Sequence, residues 1–263
     1  MENAGIAPGG SQFRPERLAE MAEIALCSLI LILGGFTFSF AGFGFALVTL
    51  PLIALFIPVK TAVPFLFPFA GGLVIYNTWR YGRLADWRRL QPLMFGACLA
   101  LPAGMLSLTL FPESLLKKFL ALFIVFGVLA PKINPRSDRT RGRLFFWSWG
   151  LLCGLLSGWF QGAYTTGGPP AVLYIMSLTS NPRAAKGLLA TYFTLLMVVT
   201  ALLYGAGGLF SWEWMLKSAA YIPAVVFGTI MGTAISNRVS AERYRMGVDL
   251  LLILSASLLW LRG

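Results

Sequence analysis

One stretch constrains this chain more than any other: Gln161-Gly-Ala-Tyr-Thr-Thr-Gly-Gly-Pro-Pro170 breaks an otherwise apolar run. Leu144 to Phe160 carries no charge, and Ala171 to Leu178 is apolar again. An α-helix cannot run through the break, because glycine is entropically poor there and proline lacks the amide donor and clashes with the preceding turn. In hydrocarbon the freed amides and carbonyls find no water, so such a break survives only where protein or a wet cavity covers it. At membrane depth it points to a binding site.

Composition places the break in a membrane. Of 263 residues, 57% are hydrophobic and 12% charged, with a mean hydropathy of +0.76; a soluble domain carries roughly 25% charge. Apolar runs recur from Ile24 to Leu261, so the expectation is an all-α polytopic membrane protein. The net charge of +11 would suggest nucleic acid in a soluble chain. Here it reads as basic residues concentrated in cytoplasmic loops, and no nucleic-acid partner is expected. Residues 1–23 carry Glu2, Glu16, Glu20 and Glu23, a polar tail and not a cleavable signal. Cys27, Cys98 and Cys153 stand apart, and there is no histidine. No metal site, cofactor or disulfide framework is expected. Without a paired carboxylate or a Ser/His arrangement, the chain does not read as an enzyme.

The order of segments suggests a duplication. Residues 24–130 form a first transmembrane repeat, 131–143 a cytoplasmic linker with five basic residues, and 144–263 a second repeat. Each repeat is expected to hold a glycine-rich broken hairpin and three transmembrane helices, eight to ten helical segments in all. The first hairpin has arms at about 24–40 and 45–57, joined at Phe40-Ala-Gly-Phe-Gly-Phe45. At 1.5 Å per residue each arm falls short of the ~30 Å hydrocarbon core, so the hairpins dip or cross. Later spans are expected at 61–79, 90–111, 115–130, 187–204, 215–234 and 248–261. Gly44 matches Gly167 at an offset of 123, and Gly-Arg-Leu-Ala-Asp-Trp87 matches Gly-Gly-Leu-Phe-Ser-Trp212 at 125. Loop 80–89 has four arginines and its counterpart near 205–214 has none. If 80–89, 131–143, 181–186 and 235–246 are cytoplasmic, that side holds 14 of the 21 basic residues. This bias requires inverted repeats.

Inverted hairpins can bring their tips together at the midplane. Helix N-termini near Gly44 and Gly168 would offer unpaired amides and partial positive charge to an anion. The candidate substrate-binding residues are Gly42, Phe43 and Gly44 at one tip, and Gln161, Tyr164, Thr165, Thr166, Gly167, Gly168 and Pro169 at the other. The competing role is packing, since small residues let transmembrane helices approach closely. At Gly42 and Gly44 the two roles stand level.

At these residues the chain resembles the TauE/SafE family of sulfite and organosulfonate exporters, over about 24–261. The resemblance rests on the duplicated architecture, on Gly42-Phe-Gly44 with Pro51, on Gly167-Gly-Pro-Pro170, and on the loops ending at Trp87 and Trp212. The family often shows three adjacent glycines in each break, and this chain does not. The resemblance implies transport of a small sulfur-containing anion, or an organic acid, across the inner membrane by a multi-pass protein, with the lipid bilayer and the anion as partners and a homodimer allowed. With no deep carboxylate, export driven by the membrane potential is the expected mode. Sodium- or proton-coupled uptake, and a non-transporting scaffold or enzyme subunit, stay open as alternatives.

Overall fold

The computed structural model describes residues 15–82, 86–130, 143–179, 181–210, 212–236 and 241–263. The predicted linker, apart from Arg143, lies outside them, as does most of the predicted tail. The described residues form eleven helices: α1 Pro15–Ala41, α2 Phe45–Ile53, α3 Val59–Tyr81, α4 Trp87–Leu110, α5 Glu113–Leu129, α6 Arg143–Tyr164, α7 Gly168–Leu178, α8 Pro182–Ala206, α9 Trp212–Ala219, α10 Ile222–Ser236 and α11 Ala241–Arg262. Among the described residues, four segments are long and apolar enough to cross a membrane: Met21–Ser39, Val59–Tyr81, Trp87–Leu110 and Arg183–Ala206.

The count exceeds the eight to ten segments expected. The span predicted at 215–234 is two helices, α9 and α10, because Pro223 has no amide to give the Ala219 carbonyl and the ladder stops there. Helix α1 starts at Pro15, well before Ile24, with proline at a helix start where its missing donor costs nothing. Helix α2 ends at Ile53 and a turn leads to Pro58, so the second arm is shorter than 45–57.

Local chemistry fixes the helix ends. Gly44 caps α2 with φ 93°, a left-handed conformation that favours glycine. Pro169 and Pro170 occupy the first turn of α7, where their missing donors have no intrahelical partner to lose. The Asp86 carboxylate accepts the Arg88 amide at the start of α4, and the Asn181 side chain accepts those of Arg183 and Ala184 at the start of α8. The positions matched in the sequence open equivalent elements: Gly44 and Gly167 cap α2 and α7, and Trp87 and Trp212 begin α4 and α9.

Packing follows the same correspondence. Helix α6 lies along α4 in the same direction, with Gly154 against Leu93, Gly158 against Ala97 and Gly162 against Leu101. Helix α1 lies along α10 likewise, with Gly228 against Ile32 and Gly232 against Phe36. The Ser39 hydroxyl donates to the Thr229 carbonyl at 2.8 Å. Helices α3 and α8 run opposed, joined by the Thr78–Thr194 hydroxyl pair (2.7 Å) near one end and by Phe67 on Tyr204 (5.5 Å between centroids) near the other. Helices α5 and α11 are also opposed, since Gly263 sits beside Ser114.

Basic residues stand at both ends of this bundle, mostly arginines at one and mostly lysines at the other. One gathers Arg80, Arg88, Arg89, Arg183 and Lys186, and is tied by the Tyr174 hydroxyl donating to the Arg89 carbonyl at 2.8 Å. At the other end, the Val59 amide donates to Glu113 Oε1 at 2.6 Å, Lys60 to the Thr109 carbonyl at 2.8 Å, and Arg262 to the Leu55 carbonyl at 3.2 Å.

Candidate functional site

The two hairpin tips meet. Phe43, Gly44, Phe45 and Ala46 from the first, and Gln161, Thr165, Thr166, Gly167 and Gly168 from the second, line one cavity of about 40 Å³. Phe38 of α1, Ala70 and Val74 of α3, and Phe193 and Met197 of α8 complete the wall. Both α2 and α7 begin here, so their first-turn amides face the space where the tips join.

The two helix starts are chemically unequal. Pro169 and Pro170 remove two of the four donors of α7. The Gly167 amide is already bonded to Gln161 Oε1 at 3.2 Å. Gly168 alone keeps a free amide in that turn, whereas α2 offers Phe45, Ala46 and Leu47, because its first ladder bond runs from Val48 to Gly44. The first tip thus carries more backbone donors, and the second carries the hydroxyls of Thr165 and Thr166.

Gln161 holds the break in shape. Its carbonyl takes the Gly167 amide and its NH2 group contacts the Met197 sulfur at 3.6 Å. The Gly167 carbonyl accepts from Ser157 Oγ at 2.7 Å, which in turn accepts from the Tyr192 hydroxyl at 2.7 Å. A Cβ at Gly167 would stand 2.5 Å from the Ser157 carbonyl, so only glycine fits. Ser157, Tyr192 and Met197 are neighbours of the candidate site that the sequence does not mark. They lie on apolar helix faces and no local motif marks them.

Three candidates lie elsewhere. The Tyr164 hydroxyl turns away and donates to the Leu116 carbonyl at 3.0 Å. Pro169 packs at Gly127. Gly42, with φ 77°, lines a second cavity, and its carbonyl accepts from Asn77 Nδ2 at 3.1 Å. Asn77 therefore braces the first tip as Gln161 braces the second. Trp159 packs on Phe119 and Phe160 and donates to Ser107, and does not line the cavity.

Thr165 is unlike its neighbours. It holds φ 55°, the one positive φ outside glycine among the described residues, and a β-branched residue there is strained. Its Oγ1 is buried without a hydrogen-bond partner in the protein. It lies near the Tyr204 hydroxyl, whose own proton goes to the Gly162 carbonyl at 2.7 Å.

The family described as Sulfite exporter TauE/SafE matches residues 27–259 of the chain. No curated protein and no solved structure matches it.

Proposed function

The chain belongs to the sulfite exporter TauE/SafE family, and from that premise we propose that it moves a compact sulfur oxyanion, sulfite first, across the inner membrane through the cavity where its hairpin tips meet. The observation that carries this reading is that cavity: amide and hydroxyl donors from both tips converge on one small buried space. A water needs at least ~10–15 Å³ of such space. The 40 Å³ cavity is thus on the scale of a few waters or one small oxyanion, and tight for a long-chained sulfonate. Its donors are neutral, so they stabilise an anion without holding it as a fixed lysine would.

We read the two halves as inverted repeats, a reading that the helix directions support. Helix α3 starts beside Glu113 and ends at Arg80, so α4 returns toward the Glu113 end, and α6 runs with α4. Helix α2 finishes near Leu55, which meets Arg262 at that same end, so α1, paired with α2, heads the opposite way from α6. The arginine-rich end is then cytoplasmic by its charge. In a cysteine-free background, Arg88→Cys and Lys60→Cys are expected to react with an impermeant thiol reagent from opposite sides of the membrane. Labelling of both from one side would overturn the inverted arrangement.

The order of residues along α3 and α8 describes a route. From the arginine-rich end it passes Arg80 and Lys186, then the cavity at Val74, Ala70, Phe193 and Met197. It then meets the aromatic group of Phe67, Tyr204 and Phe210, whose ring centroids lie 5.2–6.0 Å apart. An anion leaving an inside-negative cell gains about 2.3 kcal/mol per charge per 100 mV, so export needs no coupled ion. Sulfite flux from proteoliposomes is expected to follow a potassium–valinomycin potential with no sodium and no pH gradient. Flux that requires either of these would replace uniport by coupled transport, and absence of any anion flux would return the chain to the non-transporting reading.

A further inference from the structure

We infer that the second cavity, at the arginine-rich end, is a separate binding site for a small oxyanion, a cationic vestibule that loads the tip cavity. The inference rests on the transport reading for its purpose but not for its chemistry. The vestibule has a volume of about 240 Å³, and among its lining residues are Ser39, Gly42, Tyr76, Asn77, Arg80 and Lys186. It adjoins the tip cavity: Phe38 lines both, and Gly42 and Asn77 lie beside Phe43 and Val74.

Two cations face this space, and no carboxylate is among its lining residues. Among the described residues neither Arg80 nor Lys186 has an acidic partner at ion-pair distance, whereas Arg89 pairs with Asp86. Arg80 is steadied by the Tyr81 ring, 5.4 Å from guanidinium carbon to centroid. The Lys186 stem packs 3.6 Å from where a Cβ on Gly42 would stand, which sets this side chain against the first tip. Two like charges around one concavity repel, and a bound anion relieves that repulsion. A cleft of one sign also concentrates counter-ions and raises their on-rate.

The vestibule is not a by-product of the duplicated fold. At the repeat offset of 123, Val63 and Leu203 stand where Lys186 and Arg80 do. At the opposite end, aromatic rings pack where the vestibule is open. The paired cations that line a cavity stand at the arginine-rich end, the end an exported anion meets first on the transport reading.

The ligand chemistry is an oxyanion, supplied either by a free ion or by a lipid phosphate. The test titrates sulfite calorimetrically into the protein in nanodiscs of phosphatidylcholine, with and without phosphatidylglycerol, at low and at physiological ionic strength. Arg80→Gln/Lys186→Gln is expected to lose sulfite affinity by at least roughly tenfold and to flatten its salt dependence. Lys186→Arg is expected to retain both, and Arg88→Gln, outside the vestibule, to change neither. If the double variant does not fold, Lys186→Gln alone carries the test with a loss of about threefold or more. Sulfite binding weakened by phosphatidylglycerol in the wild type, but not in the double variant, supports a lipid phosphate as occupant; indifference to the lipid supports a free ion. Unchanged sulfite affinity and salt dependence in the double variant, or in Lys186→Gln where that variant stands in, would overturn the vestibule. Because the readout is binding, that failure is separate from absence of flux, which would overturn transport.

Discussion

Gly158→Leu is expected to cost the protein its native fold. Gly150, Gly154, Gly158 and Gly162 recur every fourth residue along α6, one stripe of a helix with 3.6 residues per turn. That stripe lies directly on α4. A Cβ at Gly158 would collide with the Ala97 carbonyl, and one at Gly162 with that of Leu101. The obstacle in each case is backbone, which cannot turn aside as a flexible side chain can. Overpacking typically costs about 1–3 kcal/mol, sometimes more, and a native protein has only about 5–15 kcal/mol to lose. Even Gly158→Ala is expected to lower the unfolding midpoint by several degrees, on the scale of about 2–4 °C per kcal/mol. Gly71→Ala is the control, since nothing lies within 4 Å of a Cβ there, and it is expected to be neutral or slightly stabilising. Size-exclusion profiles and thermal unfolding in one detergent check the pair. Equal midpoints would show that α4 and α6 separate easily and that their close approach is not what holds the halves together.

The glycine stripe shows what the sequence made legible. Its four-residue spacing is the small-residue pattern of closely packed transmembrane helices, plain in the chain once α6 is known to be helical. The break at 161–170 was legible for a similar reason: glycine and proline act on the backbone locally, whatever they pack against. So was the correspondence of Gly44 with Gly167, because both cap the returning arm of a hairpin. What stayed hidden depends on contacts far apart in sequence. Nothing near Ala70 or Met197 says that α3 and α8 close the cavity between the tips. Nor does residue type reveal that the Tyr164 hydroxyl turns to Leu116, or that Gln161 is spent on the Gly167 amide. Both are polar groups in a break, and only the fold decides whether such a group faces a ligand or braces a loop. The division of 215–234 was not legible from apolar content alone, because prolines such as Pro64 and Pro68 sit inside a continuous helix whereas at Pro223 the lost bond to Ala219 ends one.

Thr165→Val is expected to weaken sulfite binding while leaving the unliganded protein as stable as before, or more so. Two features of Thr165 oppose folding. Its φ of 55° is unfavourable for a β-branched residue, a strain of about 1–3 kcal/mol. Its buried hydroxyl makes no hydrogen bond of good geometry and only approaches the Tyr204 hydroxyl, which costs up to about 1–3 kcal/mol more. Valine keeps the shape and the backbone strain but removes the unpaired hydroxyl, so the free protein should not lose stability. The bound state should lose a hydrogen bond to a charged ligand, about 1.5–3 kcal/mol, or roughly tenfold or more in affinity. Thr166→Val should act in the same direction, since Thr166 lines the same cavity. The two losses need not add, because the residues are neighbours sharing one ligand. Thermal unfolding with increasing sulfite measures both quantities at once: the midpoint without sulfite reports stability, and its rise with concentration reports affinity. In Thr165→Val the first should hold or climb and the second should shrink. A lower midpoint with undiminished response to sulfite would mean that the hydroxyl serves the fold, and the break would then be a packing device with no direct part in holding the anion.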